Sequence, residues 1–257
     1  MLKSKQLQKY FNKREDKMLH HLKSFKKKKD QEDLHRFRVE VKKVNALAYL
    51  LKHSANKFDI SDKIRTIKKM YNQAGIIRTA YVNMNILKND KQKNRPFYKD
   101  QNRLAKEKSK EFISKAAKFS NNHKTTFDAI QKHLKGVKNK FVLKLYKKEL
   151  EKAAKISFNT SNPDDLHKCR KKIKKLLYIY DVLSESLMKK INLNTVYLKK
   201  LEEKIGSWHD SILLAKQLKE KKYSDKKIMA QIIRQQKVQL KQLSIFLDNF
   251  LKKALQL

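Results

Sequence analysis

Two short phrases gather the side chains best suited to chemistry in this chain. "DLHRFRVEVKK" runs from Asp33 to Lys43 and "DLHKCRKKIKK" from Asp165 to Lys175. They share Asp, Leu, His, Arg and a terminal Lys-Lys at the same spacings, 132 residues apart (167 − 35). On a helix, positions i, i+3 and i+7 fall on one narrow stripe. His35, Arg38 and Lys42 hold those positions in the first phrase, and His167, Arg170 and Lys174 in the second. A row of cations spaced by a helical turn, ~5.4 Å, suits an extended polyanion. Arg offers a planar fork for phosphate oxygens, and Lys a mobile point charge. Histidine adds a donor that gains a second N–H and a charge below roughly pH 6.5.

The apolar residues of each phrase define the adjoining face: Leu34, Phe37, Val41, Val44, Ala48 and Leu51 in one, Leu166, Cys169, Ile173, Leu176, Tyr180 and Leu183 in the other. The cationic stripe therefore runs along the edge of the buried face, with Lys43, Lys171 and Lys175 flanking it on the wetter side. One such stripe is ordinarily a solvated helix edge whose lysine stems lie along apolar surface. Its repetition within one chain, together with the charge and the glycine positions, turns the balance toward a ligand site.

Lys and Arg total 65 against 25 Asp and Glu, a formal net charge of +40. Such an excess repels itself unless something anionic neutralises it. Nucleic acid, anionic lipid and a polyanion such as polyphosphate are the candidate partners. Cys169 is the single cysteine, which excludes a disulfide framework and fits a reducing compartment. The first residues lack the apolar segment of a secretory signal. The longest apolar runs, Ala46–Leu51 and Leu176–Tyr180, fall far short of the ~20 residues that span a bilayer. A soluble, cytoplasmic protein is the expectation.

Three Gly and two Pro in 257 residues leave few turn formers, and the Lys, Leu, Gln, Glu and Ala content favours helix. The expected fold class is all-α. Helices are expected over about 5–25 and 31–53, over a segment capped by Asp59 and Ser61 that runs to Gln73, and over 76–89 beyond a break at Gly75. Pro96 is placed to start the next, to Ser120. Asn121–Asn122 read as a loop, 126–134 as a short helix closed by Gly136, and 141–156 as another. Asn159–Asn162 with Pro163 open the helix of the second phrase, to Leu187. Then come 193–205, a break at Gly206, 208–221 and 225–253.

The order of these elements repeats. Gly75 and Gly206 lie 131 residues apart (206 − 75), so a single one-residue gap aligns both histidines and both glycines. The expected architecture is a single domain, 1–257, of two pseudo-symmetric helical-bundle halves from an internal duplication, about 1–121 and 122–257. If the halves face each other across a pseudo-dyad, the two stripes line one channel. The second copy carries Lys171 and Lys172 where the first has Val39 and Glu40, so tighter anion binding is expected in the second half.

H-x-x-R-x-x-x-K-K in each half resembles the CHAD domain, the conserved histidine α-helical domain, and the resemblance runs from about Lys5 to Phe250. It implies two related helical halves and binding of inorganic polyphosphate in a basic groove or pore. The ligand-binding residues it implies are His35, Arg38, Lys42, Lys43, His167, Arg170, Lys171, Lys174 and Lys175. Arg36, Arg78, Lys168, Tyr178 and His209 are expected as secondary anion contacts. Segments similar to the family's G-x-x-R-D stand at Gly75–Thr79 and Gly206–Asp210. Asn45 and Leu177 stand where members often continue the basic run with Arg, and Thr79 stands where an Asp is expected.

The expected activity is polyphosphate binding without catalysis, with no cofactor and no metal, in the cytoplasm or at polyphosphate granules. The first alternative is a nucleic-acid-binding basic protein, since phosphate contacts alone give a +40 chain affinity for DNA and RNA at low salt. Trp208 and the dispersed tyrosines read as packing residues, not a base-stacking platform. A lower-ranked alternative is a metal-dependent phosphohydrolase of the HD type. It would use His209-Asp210, with His167 upstream and Asp225 or Asp248 downstream. The repeat instead places His209-Asp210 at a helix start, where Asp210 would act as a capping residue. A membrane-surface role ranks lowest, because the bundle core needs the apolar helix faces.

Overall fold

A lysine- and leucine-rich chain with almost no breakers forms long helices, and two of them run straight through the glycines expected to break them. The computed structural model describes residues 1–54, 65–87, 95–132, 134–157, 162–220 and 226–255. Among them are ten helices and two isolated antiparallel bridges, Leu2 with Val137 and Leu193 with Leu255. The fold is all-α. The chain forms two compact units, Met1–Val142 and Leu143–Leu257.

The first unit contains α1 (Ser4–Lys28), α2 (Gln31–Lys52), α3 (Arg65–Ile86) and α4 (Pro96–Gln131). α1 packs on α2 and α4, and α3 packs on α2 and α4. Its core is aromatic: Phe25 and Phe37 both meet Phe112 edge-on, at 5.7 and 6.1 Å between ring centroids, and Phe11 meets Phe127 at 5.3 Å. Each such burial contributes ~1.5–3 kcal/mol. Asp30 caps α2 by accepting from the Glu32 N–H at 3.0 Å. Lys26, Lys27 and Lys28 sit in the last turn of α1, where cations favour the helix dipole.

α5 (Asn139–Ser157) leads into the second unit, followed by α6 (Pro163–Tyr180), α7 (Glu185–Ile191), α8 (Thr195–Glu220), α9 (Lys226–Leu247) and α10 (Phe250–Ala254). α8 packs on α6, α9 and α10. Asn162 caps α6 through the Asp164 N–H at 2.9 Å, with Pro163 in the first turn. The Tyr146 hydroxyl ties α5 to α6 by donating to the Leu176 carbonyl at 2.8 Å.

Several expected boundaries move. Gly75 and Gly206 do not break helices: each lies inside one continuous helix, α3 or α8, and no glycine has a positive φ. Glycine costs a helix interior only ~1 kcal/mol, which tertiary packing overrides. Asn121 and Asn122 fall within α4. α6 ends at Tyr180, and Glu185–Ile191 forms a separate short helix, α7, closed by Asn192 at φ 50°. α9 stops at Leu247, and Asn249 at φ 51° turns the chain into α10. Asp59, Ser61, Asn159 and Asp225 lie outside the described residues.

Candidate functional site

In the first unit, α2 carries the cationic stripe and α3 seats it. Arg38 crosses to α3, where its Nη1 donates to the Tyr71 carbonyl oxygen at 2.6 Å. Its guanidinium lies 4.1 Å over the Tyr71 ring and directly against Gly75. A Cβ on Gly75 would come within 2.5 Å of Nη1. Glycine at this position is therefore the space the guanidinium occupies. Burial pulls the Arg38 pKa down, the Tyr71 ring opposes it and the Arg78 charge adds to it. Among the described residues Arg38 has no carboxylate partner. Its other N–H groups stay uncommitted.

His35, Lys42 and Lys43 are partly buried beside it. Lys43 donates to Glu40 at 3.3 Å, and the other Glu40 oxygen pairs with Arg14 of α1 at 3.0 Å, with both of those side chains nearly buried. Arg36 is exposed and pairs with Glu32 one turn back, while Arg78 donates to Gln31 at 3.4 Å. The Asp33 carboxylate does not face the stripe. It accepts from Ser24 and, at 3.2 Å, from His21 on α1. Burial works against its ionisation, yet these two bonds hold the carboxyl below its ordinary pKa.

The second unit repeats the central arrangement with one change. The Nε of Arg170 on α6 donates to the Glu202 carbonyl oxygen at 3.0 Å, and its guanidinium lies against Gly206 on α8. A Cβ there would come within 2.7 Å of the guanidinium carbon. Tyr71 and Glu202 each precede their glycine by one helical turn. The same Nε also meets the Glu202 carboxylate at 3.0 Å, and the other carboxylate oxygen accepts from Lys174. Lys174 lies 5.9 Å over the Tyr178 ring.

Lys172 is committed too, pairing at 2.8 Å with Glu149 of α5, a residue that is 2% exposed. Lys175 is partly buried, and burial pulls its pKa down while Glu149 opposes. Lys171 remains exposed, and Lys168 pairs with Asp165 at 2.8 Å. The expectation of tighter anion binding in the second half thus loses part of its basis. Two carboxylates, Glu202 and Glu149, pair with three of its cations, Arg170, Lys174 and Lys172.

The ring of His167 stacks on that of His209 at 4.1 Å and 19°. Its Nδ1 is buried without a hydrogen-bond partner. Burial, then His209, Lys171 and Arg170, push the His167 pKa down to about 4. Burial also lowers that of His209, with Asp210 opposing. His167 is therefore neutral at pH 6.5, contrary to the expectation of a charge gained there.

A depressed histidine pKa means the unfolded chain takes up a proton that the folded chain refuses. Between about pH 6.5 and 4, stability should fall as pH falls. Thermal melts across that window should show a smaller decline for His167→Phe than for the parent protein. Parallel declines would show that other groups dominate the acid response.

His209 and Asp210 lie in the middle of α8, so Asp210 caps nothing. Among the described residues no three His, Cys, Asp or Glu side chains converge as metal ligands. Cys169 is buried, its thiol pushed up to about 12, which leaves it unreactive. Trp208 is buried, as its packing role requires. Among the described residues no helix is long and apolar enough to cross a membrane.

A family model described as the CHAD domain matches residues 9–219. The crystal structure of the CHAD domain from the plant Ricinus communis is similar in fold, with a TM-score of 0.71 at 13% identity, covering 95% of this chain and 91% of that one. No curated protein matches the chain.

Proposed function

This chain belongs to the CHAD-domain family, and on that footing we propose that it binds inorganic polyphosphate, or a similar linear phosphate polymer, without catalysis. One observation supports the reading above all others. In each unit the stripe arginine is seated on a helix-interior glycine and oriented by a backbone carbonyl, Arg38 by Tyr71 and Arg170 by Glu202. A guanidinium held this way has lost its rotamer freedom before any ligand arrives, so less entropy is lost on binding. A merely solvated arginine needs no such seat. Around it Lys42 and Lys43, or Lys171, Lys174 and Lys175, supply further charge along the helix edge, with His35 and His167 beside them. The +40 net charge draws any polyanion in, and the fixed arginines set where it lies.

Nucleic acid is the competing ligand, because charge alone attracts it. Binding of polyphosphate should weaken with salt by a log–log slope near ~0.7 for each neutralised charge, as for a flexible single strand. At near-physiological salt, long-chain polyphosphate should displace a bound oligonucleotide at equal phosphate concentration. Displacement in the opposite direction would assign the stripes to nucleic acid instead.

A further inference from the structure

We infer that Glu202 is a tethered anion occupying the cationic stripe of the second unit, and that it sets how strong a ligand must be to bind there. The inference rests on the stripe being the polyphosphate site. Its two carboxylate oxygens bridge Arg170, at 3.0 Å, and Lys174. Those two cations are one helical turn apart on α6 and are both predicted ligand contacts. A carboxylate spanning them does what two oxygens of a phosphate chain would do. The site is also sheltered: the side chains of Glu202, Arg170 and Lys174 are 13%, 22% and 20% exposed.

The first unit shows the same seat without the occupant. Tyr71 stands at the position of Glu202 relative to the glycine, and it offers Arg38 a carbonyl and a ring face but no carboxylate. A carbonyl and a ring face are thus enough to orient the arginine without a carboxylate. The Glu202 carboxylate adds neutralisation. Because it is covalently attached, its effective concentration is high and any ligand must displace it. Orthophosphate can bridge Arg170 and Lys174 with two of its oxygens, but this pair is then its whole site and it must displace Glu202 to bind. A linear phosphate polymer also spreads successive charges over Lys171 and Lys175, so it loses less to the tethered carboxylate, and Glu202 favours polyvalent ligands over orthophosphate.

Titrations of the full chain with polyphosphate of defined length and with orthophosphate, at fixed salt, test this. Glu202→Gln keeps the side-chain shape and should raise polyphosphate affinity about tenfold, with a larger relative gain for orthophosphate. Glu203→Gln makes the same change in net charge at an exposed neighbour and should give about twofold or less. Glu202→Ala provides a second test if the glutamine variant folds poorly, as judged by circular dichroism. Equal gains for Glu202→Gln and Glu203→Gln would overturn the inference. So would a loss of affinity on neutralising Glu202, which would make it a positioning residue for Arg170. If the parent protein itself fails to bind polyphosphate, the proposed function falls, and the inference with it. If the parent binds and only the Glu202 effect is missing, the proposed function stands.

Discussion

Reversing both seated arginines, Arg38→Glu with Arg170→Glu, should lower polyphosphate affinity by at least about a hundredfold near 0.15 M salt. Each charge-assisted contact to an ionised oxygen is worth ~1.5–3 kcal/mol, and tenfold in affinity is ~1.4 kcal/mol. Lys26→Glu with Lys27→Glu produces the same change in net charge, on the exposed last turn of α1. Exposed charges of that kind contribute ~0.2–1 kcal/mol each, so a loss of only about two- to thirtyfold is expected. Arg170→Glu also brings a second carboxylate against Glu202, and folding must be checked by circular dichroism and melting. Arg38→Gln with Arg170→Gln avoids that repulsion and should preserve the ranking at smaller amplitude. Equal losses for the arginine and lysine pairs would mean that the protein attracts anions through overall charge and has no defined site.

Gly75→Ala and Gly206→Ala should separate stability from binding. Alanine in place of glycine inside a helix ordinarily stabilises by ~0.5–1 kcal/mol. Here the new methyl would stand where the guanidinium of Arg38 or Arg170 lies. The displaced group is the far end of a flexible side chain, so the backbone need not move. The thermal midpoint should therefore hold or rise. The guanidinium, pushed off its seat, gives up its bond to the Tyr71 or Glu202 carbonyl, and polyphosphate affinity should fall on the order of tenfold per site. Unchanged affinity in both variants would show that the seat has no part in binding. A large drop in midpoint would show that the glycines serve helix packing instead.

The two glycines also mark what the sequence disclosed and what it hid. Their register with the phrases was plain, and it pointed to equivalent places. Their role was misread as helix breaking, because a glycine's cost to a helix is local and small while the reason for keeping it lies in a side chain 36 or 37 residues earlier (206 − 170; 75 − 38). The His-Arg-Lys stripe was legible from period alone, since i, i+3, i+7 spacing is a property of the helix. The partners that seat or neutralise it were not, because Tyr71 and Glu202 reach the stripe only through packing of α3 on α2 and α8 on α6. A signal was present in two places. Arg14 sits on the stripe Leu7, Phe11, Met18, Leu22 and Phe25, and a charge on a buried face calls for a buried partner. Glu149, beside Tyr146 and Ala153, carries the same signal.

Those two charges have a consequence for how the chain finds its fold. In the first unit the leading helix supplies the cation and the histidine helix the anion, Arg14 to Glu40. In the second the polarity is reversed, Glu149 to Lys172. Two helical pairs synthesised in tandem are prone to exchange helices during folding. A chain that docked α1 onto α6 would bury Arg14 beside Lys172, and one that docked α5 onto α2 would bury Glu149 beside Glu40. Either mistake leaves like charges facing each other out of water, where an unpaired ion costs several kcal/mol. The inverted placement of the two buried pairs therefore disfavours either mispairing.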